Sequence, residues 1–176
     1  MGVAVLLTGR PGVGKTTLIH RVAAHLPAPV GGFYTHELRE DGTRVGFELV
    51  TLAGQRGVLA HVSWRRGPHV GRYGVDLRVM EELGVPALQQ AAAAGGYVVV
   101  DEIGRMELLS AGFVSTMWEL LRGPYRLLGT IMSRPHPVAD QFKRLPGVWV
   151  IEVTAANRES QALVDRILAL LGVGPG

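Results

Sequence analysis

The chain has 176 residues, of which 47% are hydrophobic, 19% charged and 6% aromatic, with a formal net charge of +3 and no cysteine. That size suits one compact domain, the composition excludes a largely disordered chain, and the missing cysteines exclude a disulfide framework and any thiolate nucleophile or metal site. So modest a positive charge is no argument for nucleic acid, and no stretch approaches the roughly 20 apolar residues of a membrane span.

In chain order, Val3–Thr8 is an apolar run of strand length, too short for a secretory signal, and it leads through a glycine-rich loop into an amphipathic stretch from Lys15 to about Leu26. Pro27 and Pro29 end that helix. Gly32–Leu38 and Arg44–Leu52 are β-rich and joined by Glu40-Asp41-Gly42, an Asp-Gly hairpin signal, and Arg56–Val62 extends the antiparallel region. Ser63–Gly74 reads as a long surface loop, and its Trp64-Arg65-Arg66 is the one hint of a nucleic-acid contact. Asp76–Ala94 is helical, interrupted before Pro86 and stopped at Gly95-Gly96. Then follow a strand at Tyr97–Val100 ending in acid, a helix over Gly112–Leu121, a strand at Tyr125–Ile131, a short helix over Val138–Leu145, a strand at Val148–Val153 and a helix from about Arg158 to Leu171. Strands alternating with helices at this spacing predict an α/β fold, a mostly parallel sheet flanked by helices, with the hairpin inserted after the first helix. A single domain over residues 1–176, cytoplasmic, free of the membrane and monomeric, is the expectation.

Gly9-Arg10-Pro11-Gly12-Val13-Gly14-Lys15-Thr16 has the Walker A spacing, and it follows a strand and opens a helix. Gly9, Gly12 and Gly14 let backbone N–H groups converge on phosphate oxygens, and the helix start adds its positive dipole end. Lys15 would bind the β- and γ-phosphates, Thr16 would hold Mg²⁺ through its hydroxyl, and Thr17 would support the α-phosphate. Val98-Val99-Val100-Asp101-Glu102 has the Walker B form: Asp101 would hold the Mg²⁺ ion through water, and Glu102 would polarise the water that attacks the γ-phosphorus. In Gly104-Arg105-Met106-Glu107, which follows, Arg105 either stabilises charge on the γ-phosphate or forms a salt bridge to Glu102 or Glu107. Thr130 or Ser133 sits where a hydroxyl could sense the γ-phosphate, with the role of Arg134 open. Asn157 and Arg158 could contact the base, Asn157 being equally suited to cap the last helix. The six scattered histidines show no metal spacing and carry no assigned role.

Gly32-Phe33-Tyr34-Thr35, Val45–Leu52, Val70-Gly71-Arg72-Tyr73, Asp101–Glu107 and Gly129-Thr130-Ile131, together with the phosphate loop, resemble the small P-loop nucleoside-triphosphatase family known from thermophiles, which includes the human cancer-related nucleoside-triphosphatase. The resemblance covers nearly the whole chain and implies a RecA-like core with an additional strand, a catalytic Glu102, and Mg²⁺-dependent hydrolysis of several nucleoside triphosphates, ATP and GTP among them. Arg105 stands where the family pattern has lysine. The competing expectations are a nucleoside or nucleotide kinase on the same loop, and a nucleotide-switched module binding nucleic acid or protein.

Overall fold

A computed structural model describes residues 1–175. The strands are β1 (Val3–Thr8), β2 (Val30–Glu40), β3 (Thr43–Thr51), β4 (Arg56–His61), β5 (His69–Val70), β6 (Tyr73–Val75), β7 (Tyr97–Ile103), β8 (Arg126–Ile131) and β9 (Val148–Glu152). They form one sheet in the order β5-β6-β4-β3-β2-β7-β8-β1-β9. From β2 to β9 all pairings are parallel; from β2 outward to β5 they are antiparallel. Strand β8 lies between β1 and β7, so the strand feeding the glycine-rich loop and the strand carrying Asp101 are not neighbours. That intervening strand is the additional one expected.

Alternation along the central strands divides the interior in two, because successive side chains point to opposite faces. Val5, Leu7 and Val99 pack under α1 (Lys15–Ala23) and α6 (Gln161–Leu170) through Leu18, Ile19, Val22, Leu163 and Ile167. Leu6, Val98 and Val100 pack on the other face, under α3 (Val85–Ala93), α4 (Ala111–Arg122) and α5 (Pro137–Lys143), with Leu88, Phe113, Met117 and Phe142. Serine hydroxyls fix the starts of two helices: Ser110 accepts from Phe113 N at 3.0 Å and Ser160 from Leu163 N at 3.2 Å. No helix among the described residues is long and apolar enough to cross a membrane.

The Asp-Gly signal is borne out. Asp41 and Gly42 both have positive φ, 47° and 77°, the backbone that matches a two-residue turn to strand twist. Two expectations need correction. The Ser63–Gly74 stretch is not all loop: β5 and β6 form a small hairpin at the sheet edge, anchored by the buried Tyr73 and Val75. Nor is the helix broken before Pro86. A first turn, α2 (Leu77–Val79), runs through a π-helical turn at Met80–Gly84 into α3, placing Pro86 in the first turn of α3, where its missing N–H is tolerated.

β2 lies close to β7 at Gly32, whose φ is +121° and where a Cβ would strike the backbone of Val99. Gly32→Ala combines a strained backbone with a clash against a central strand, and should lower unfolding free energy by more than about 2 kcal/mol. Urea denaturation measures it.

Candidate active site

The loop after β1 is shaped by three positive-φ glycines, Gly9 at 150°, Gly12 at 78° and Gly14 at 115°. A side chain at Gly9 would lie 2.6 Å from the carbonyl oxygen of Val153, so the close approach of the loop to the chain after β9 needs glycine there. Gly14 stands at the start of α1 with no side-chain cap, and no acidic residue occupies the first turn. The free N–H groups and dipole there favour an anion. The Lys15 ammonium donates to the carbonyl oxygens of Gly9 at 2.8 Å and Arg10 at 3.2 Å, which holds the positive charge over the loop. Thr16 and Thr17 are exposed at the helix start.

Asp101 is 3% exposed and is gripped from both sides: Thr16 Oγ1 donates to Oδ2 at 3.0 Å and Thr130 Oγ1 to Oδ1 at 2.6 Å. Burial pushes the Asp101 carboxyl above its ordinary range, and the hydrogen bonds from Thr130 and Thr16 pull against that. Thr130 therefore acts on Asp101 itself, while Ser133 and Arg134 are exposed beyond the strand end. Strand β7 does not stop before the acidic pair; it continues through Ile103, the Asp101–Glu102 peptide is cis, and pairing to β8 is irregular between Val100 and Ile103.

Burial also raises the Glu102 carboxyl, the Lys15 ammonium lowers it, and Asp101 raises it further. Both carboxylates thus reach the phosphate loop from one strand. Behind them lies a group not singled out from the sequence. Glu107, in the turn Glu107–Leu109, is 6% exposed, and no Lys or Arg comes within salt-bridge distance of it among the described residues. Burial drives its carboxyl well above the usual carboxylate range, helped by the charge of Glu102. A buried acid five residues from another, with only glycine and apolar or exposed residues between, was the available signal.

Arg105 is exposed and makes no ion pair with Glu102 or Glu107, so the salt-bridge alternative is not realised. Gly104 is buried between the two glutamates. Asn157 does not cap the last helix, because Ser160 does. Its amide braces the loop after β9 instead, accepting from Thr154 N at 2.8 Å and donating to the Glu152 carbonyl at 2.9 Å. Arg158 lies across the phosphate loop, its guanidinium 3.4 Å from the Val13 carbonyl and its Cδ 3.4 Å from where a Gly14 side chain would begin.

One histidine does sit near the site. His20, one turn after Thr16, stacks on Tyr34 with ring centroids 4.0 Å apart and faces His36 at 6.3 Å. Burial lowers the His20 imidazole, while the nearby Asp101 raises it. Tyr34 and His36 alternate onto one face of β2, so the inserted hairpin is keyed to α1 by aromatic contact. The histidine lay outside any metal spacing, and only the β2–α1 packing shows it.

A phosphate-binding loop between strand and helix, a buried aspartate two strands away and a carboxylate directly after it define a P-loop NTPase of the class with an added central strand. The sequence model of a family described as NTPase matches residues 4–168, and the chain belongs to that family. It is 41% identical over 172 residues to the nucleoside-triphosphatase THEP1 of Thermotoga petrophila, covering 98% of this chain and 94% of the relative. It is 42% identical over 170 residues to the human cancer-related nucleoside-triphosphatase, covering 88% and 90%. The crystal structure of THEP1 from Aquifex aeolicus superposes with a TM-score of 0.86 at 34% identity, covering 97% of this chain and 99% of the other. The solution structure of the human protein gives 0.78 at 37% identity, covering 99% and 100%.

Glu107 has a stability consequence. Its raised folded-state value means that its contribution is fully present below the ordinary carboxylate pKa of about 4.3 and is lost as pH rises through the folded-state value. Glu107→Gln, neutral at every pH, should therefore melt higher than wild type at pH 8, with the advantage shrinking toward pH 4. Thermal unfolding across that range checks it; an advantage that grows on acidification would mean that Glu107 is buried charged.

Proposed function

We propose that the chain hydrolyses nucleoside triphosphates, ATP, GTP and others, to the diphosphate and orthophosphate in a Mg²⁺-dependent reaction with loose selection among bases. The observation that carries this reading is Glu102: a half-buried carboxylate beside Lys15 at the carboxyl end of β7, adjoining the Asp101 that Thr16 and Thr130 hold. A water between Glu102 and the γ-phosphorus gives its proton to the carboxylate as its oxygen bonds to phosphorus. The bond from phosphorus to the β–γ bridging oxygen breaks, and the diphosphate leaves with that oxygen. The Lys15 ammonium exchanges its loop carbonyls for β- and γ-phosphate oxygens and offsets the charge that builds on them.

The donor set fits Mg²⁺. Only hard oxygens converge, the Thr16 hydroxyl and the Asp101 carboxylate, and Mg²⁺ takes one or two protein ligands and completes its shell with phosphate and water. Consistent with that, no cluster of three or more His, Cys, Asp or Glu side chains forms a protein cage among the described residues. The Thr16 hydroxyl and the Asp101 carboxylate would hold Mg²⁺, which when bound would supply positive charge against the triphosphate. Thr130 keeps Oδ1 of Asp101 engaged and so fixes which oxygen is left toward the ion. Loose base selection is supported by Asn157, whose amide bonds at both ends to its own loop, so that the remaining candidate for the base, Arg158, would offer it a stacking surface.

Glu102→Gln should bind nucleotide with wild-type affinity while kcat falls by about a hundredfold or more, as loss of a general base does. Phosphate release together with binding of a fluorescent analogue separates the two; wild-type turnover would remove Glu102 from the mechanism. Thr130→Val, which cannot hold Asp101, should raise the Mg²⁺ concentration for half-maximal activity about tenfold or more. A Mg²⁺ titration at saturating nucleotide reads it directly.

A further inference from the structure

The outer corner of the antiparallel strands gathers cations that the nucleotide site does not use. Residues 37–46 and 61–74 carry five arginines against three acids, an excess of two in a chain whose net charge is +3. Arg44 reaches past the end of β4 to β6, where the Tyr73 hydroxyl accepts from Arg44 Nε at 2.9 Å and from Arg72 Nη2 at 3.3 Å. Arg72 Nη2 also donates to the Arg44 carbonyl at 2.8 Å. Burial works to raise the Tyr73 phenol, yet the hydrogen bonds and charges of Arg72 and Arg44 bring it below its ordinary value. Two like charges gathered on one phenol call for an anion. The one carboxylate bonded to either is Glu37, shared between Arg44 at 3.2 Å and Arg39 at 2.7 Å; Glu40 and Asp41, exposed at the β2–β3 turn, pair with neither. Nη2 of Arg44 and Nε and Nη1 of Arg72 are left with no acceptor among the described residues.

The loop before β5 adds to this corner on a pinned backbone. The His69 ring nitrogens lie 2.9 Å from the carbonyl oxygens of Gly67 and Trp64, and Val75 N donates to the Pro68 carbonyl at 2.9 Å. A Cβ on Gly74 would lie 2.6 Å from the Cβ and the carbonyl oxygen of Trp64, so the loop is packed directly on the strand that carries Tyr73. Arg65 and Arg66 stand exposed on it and make no ion pair among the described residues. Trp64 between them and His61 is half-buried, with its ring 6.0 Å from that histidine. Five strands separate β6 from β1 and its phosphate loop.

We propose that this corner is a binding surface for single-stranded nucleic acid, in which Arg44, Arg65, Arg66 and Arg72 take successive phosphodiesters and Trp64 offers its exposed part to an unpaired base. A polyanion fits better than a single anion, because the cations are spread over a strand, a turn and a loop and do not converge on one point. Arginine suits the task, since its planar fork meets two phosphate oxygens at once. A base held in a duplex presents no face to Trp64, whereas an unpaired one does. The pinned loop loses little freedom on binding. Because the corner stands away from the phosphate loop on rigid strands, it binds whether or not nucleotide is bound, and the inference does not depend on Glu102 being the base.

Fluorescence anisotropy of a labelled oligothymidylate of about 20 nucleotides, titrated with the full chain at about 50 mM salt, tests this. The wild type should bind, with log K falling against log salt at a slope of about −3, as four phosphate contacts on a single strand give. Arg65→Ser/Arg66→Ser, whose side chains hold nothing in the fold, should melt as the wild type does, bind about tenfold or more weaker and lose about 1.4 from the slope. Arg72→Gln should lose about 0.7 from it. Arg166→Glu, at an exposed arginine of α6 without an ion pair, should bind as the wild type does. A duplex of the same length, although denser in charge, should bind more weakly than the single strand. The proposal is overturned if the wild type leaves the strand free, if Arg65→Ser/Arg66→Ser binds as tightly as wild type, or if Arg166→Glu loses as much as that variant. It is overturned equally if the duplex is preferred, if polyglutamate of matching charge displaces the strand as well as unlabelled strand does, or if a saturating non-hydrolysable nucleoside triphosphate with Mg²⁺ releases it, which would place the strand in the nucleotide site.

Discussion

Asp101 holds the architecture of the site together. A carboxylate buried to 3% exposure is tolerable only if its oxygens are satisfied, and the two that satisfy it come from different elements, Thr16 at the start of α1 and Thr130 near the end of β8. The aspartate therefore fixes three things at once: how α1 sits over the sheet, the height of β8 relative to β7, and the direction in which the remaining oxygen lone pairs face. The strand order is a precondition. Were β7 paired directly with β1, no strand would stand between them to carry Thr130.

The phosphate loop shows the same economy in its electrostatics. Its N–H groups and helix dipole make the mouth of the loop positive, and the Lys15 ammonium adds to that while bonded to the loop's own carbonyls at Gly9 and Arg10. The charge is thus fixed over the mouth of the loop by the loop's own backbone. Preorganised charge of this kind lowers the reorganisation that charge development would otherwise require. The opposite charge sits behind, in Asp101 and Glu102, so the field runs across the region in which the triphosphate is expected.

What could be read in advance divides along physical lines. The phosphate loop, its flanking strand and helix, and the alternating units were legible because local backbone demands, glycine at positive φ and period-two against helical apolar spacing, write themselves into adjacent residues. The family resemblance carried the rest of the fold. Thr130 was suspected only as a terminal hydroxyl, since its partner lies 29 positions away and no local pattern announces a long-range bond. Glu107 entered only as one of two possible exposed salt-bridge partners for Arg105, because residue type favours exposure for glutamate and only the turn after Gly104 reverses it. His20 and Tyr34 needed the packing of β2 beside α1. The π-helical turn before Pro86 was hidden for another reason: proline predicts a break, and the extra residue in one turn is what avoids it.

The hairpin also bears on what the protein does with nucleotide. A module that switches by moving the hairpin needs a joint between it and the nucleotide core, and β2 offers none. Its first four residues, Val30 to Phe33, pair in parallel with β7, and from Phe33 to Glu40 the same strand pairs antiparallel with β3. Phe33 takes part in both ladders, is fully buried, and packs on Phe113 of α4 at 6.2 Å between ring centroids. Swinging the hairpin would break either ladder at a core residue and separate Tyr34 from His20, an open set of buried hydrogen bonds and apolar contacts that bound nucleotide would have to offset. The inserted strands thus form one rigid wall beside Thr16 and Asp101. Arg105 and Arg158, exposed around the loop, belong to no part of that wall.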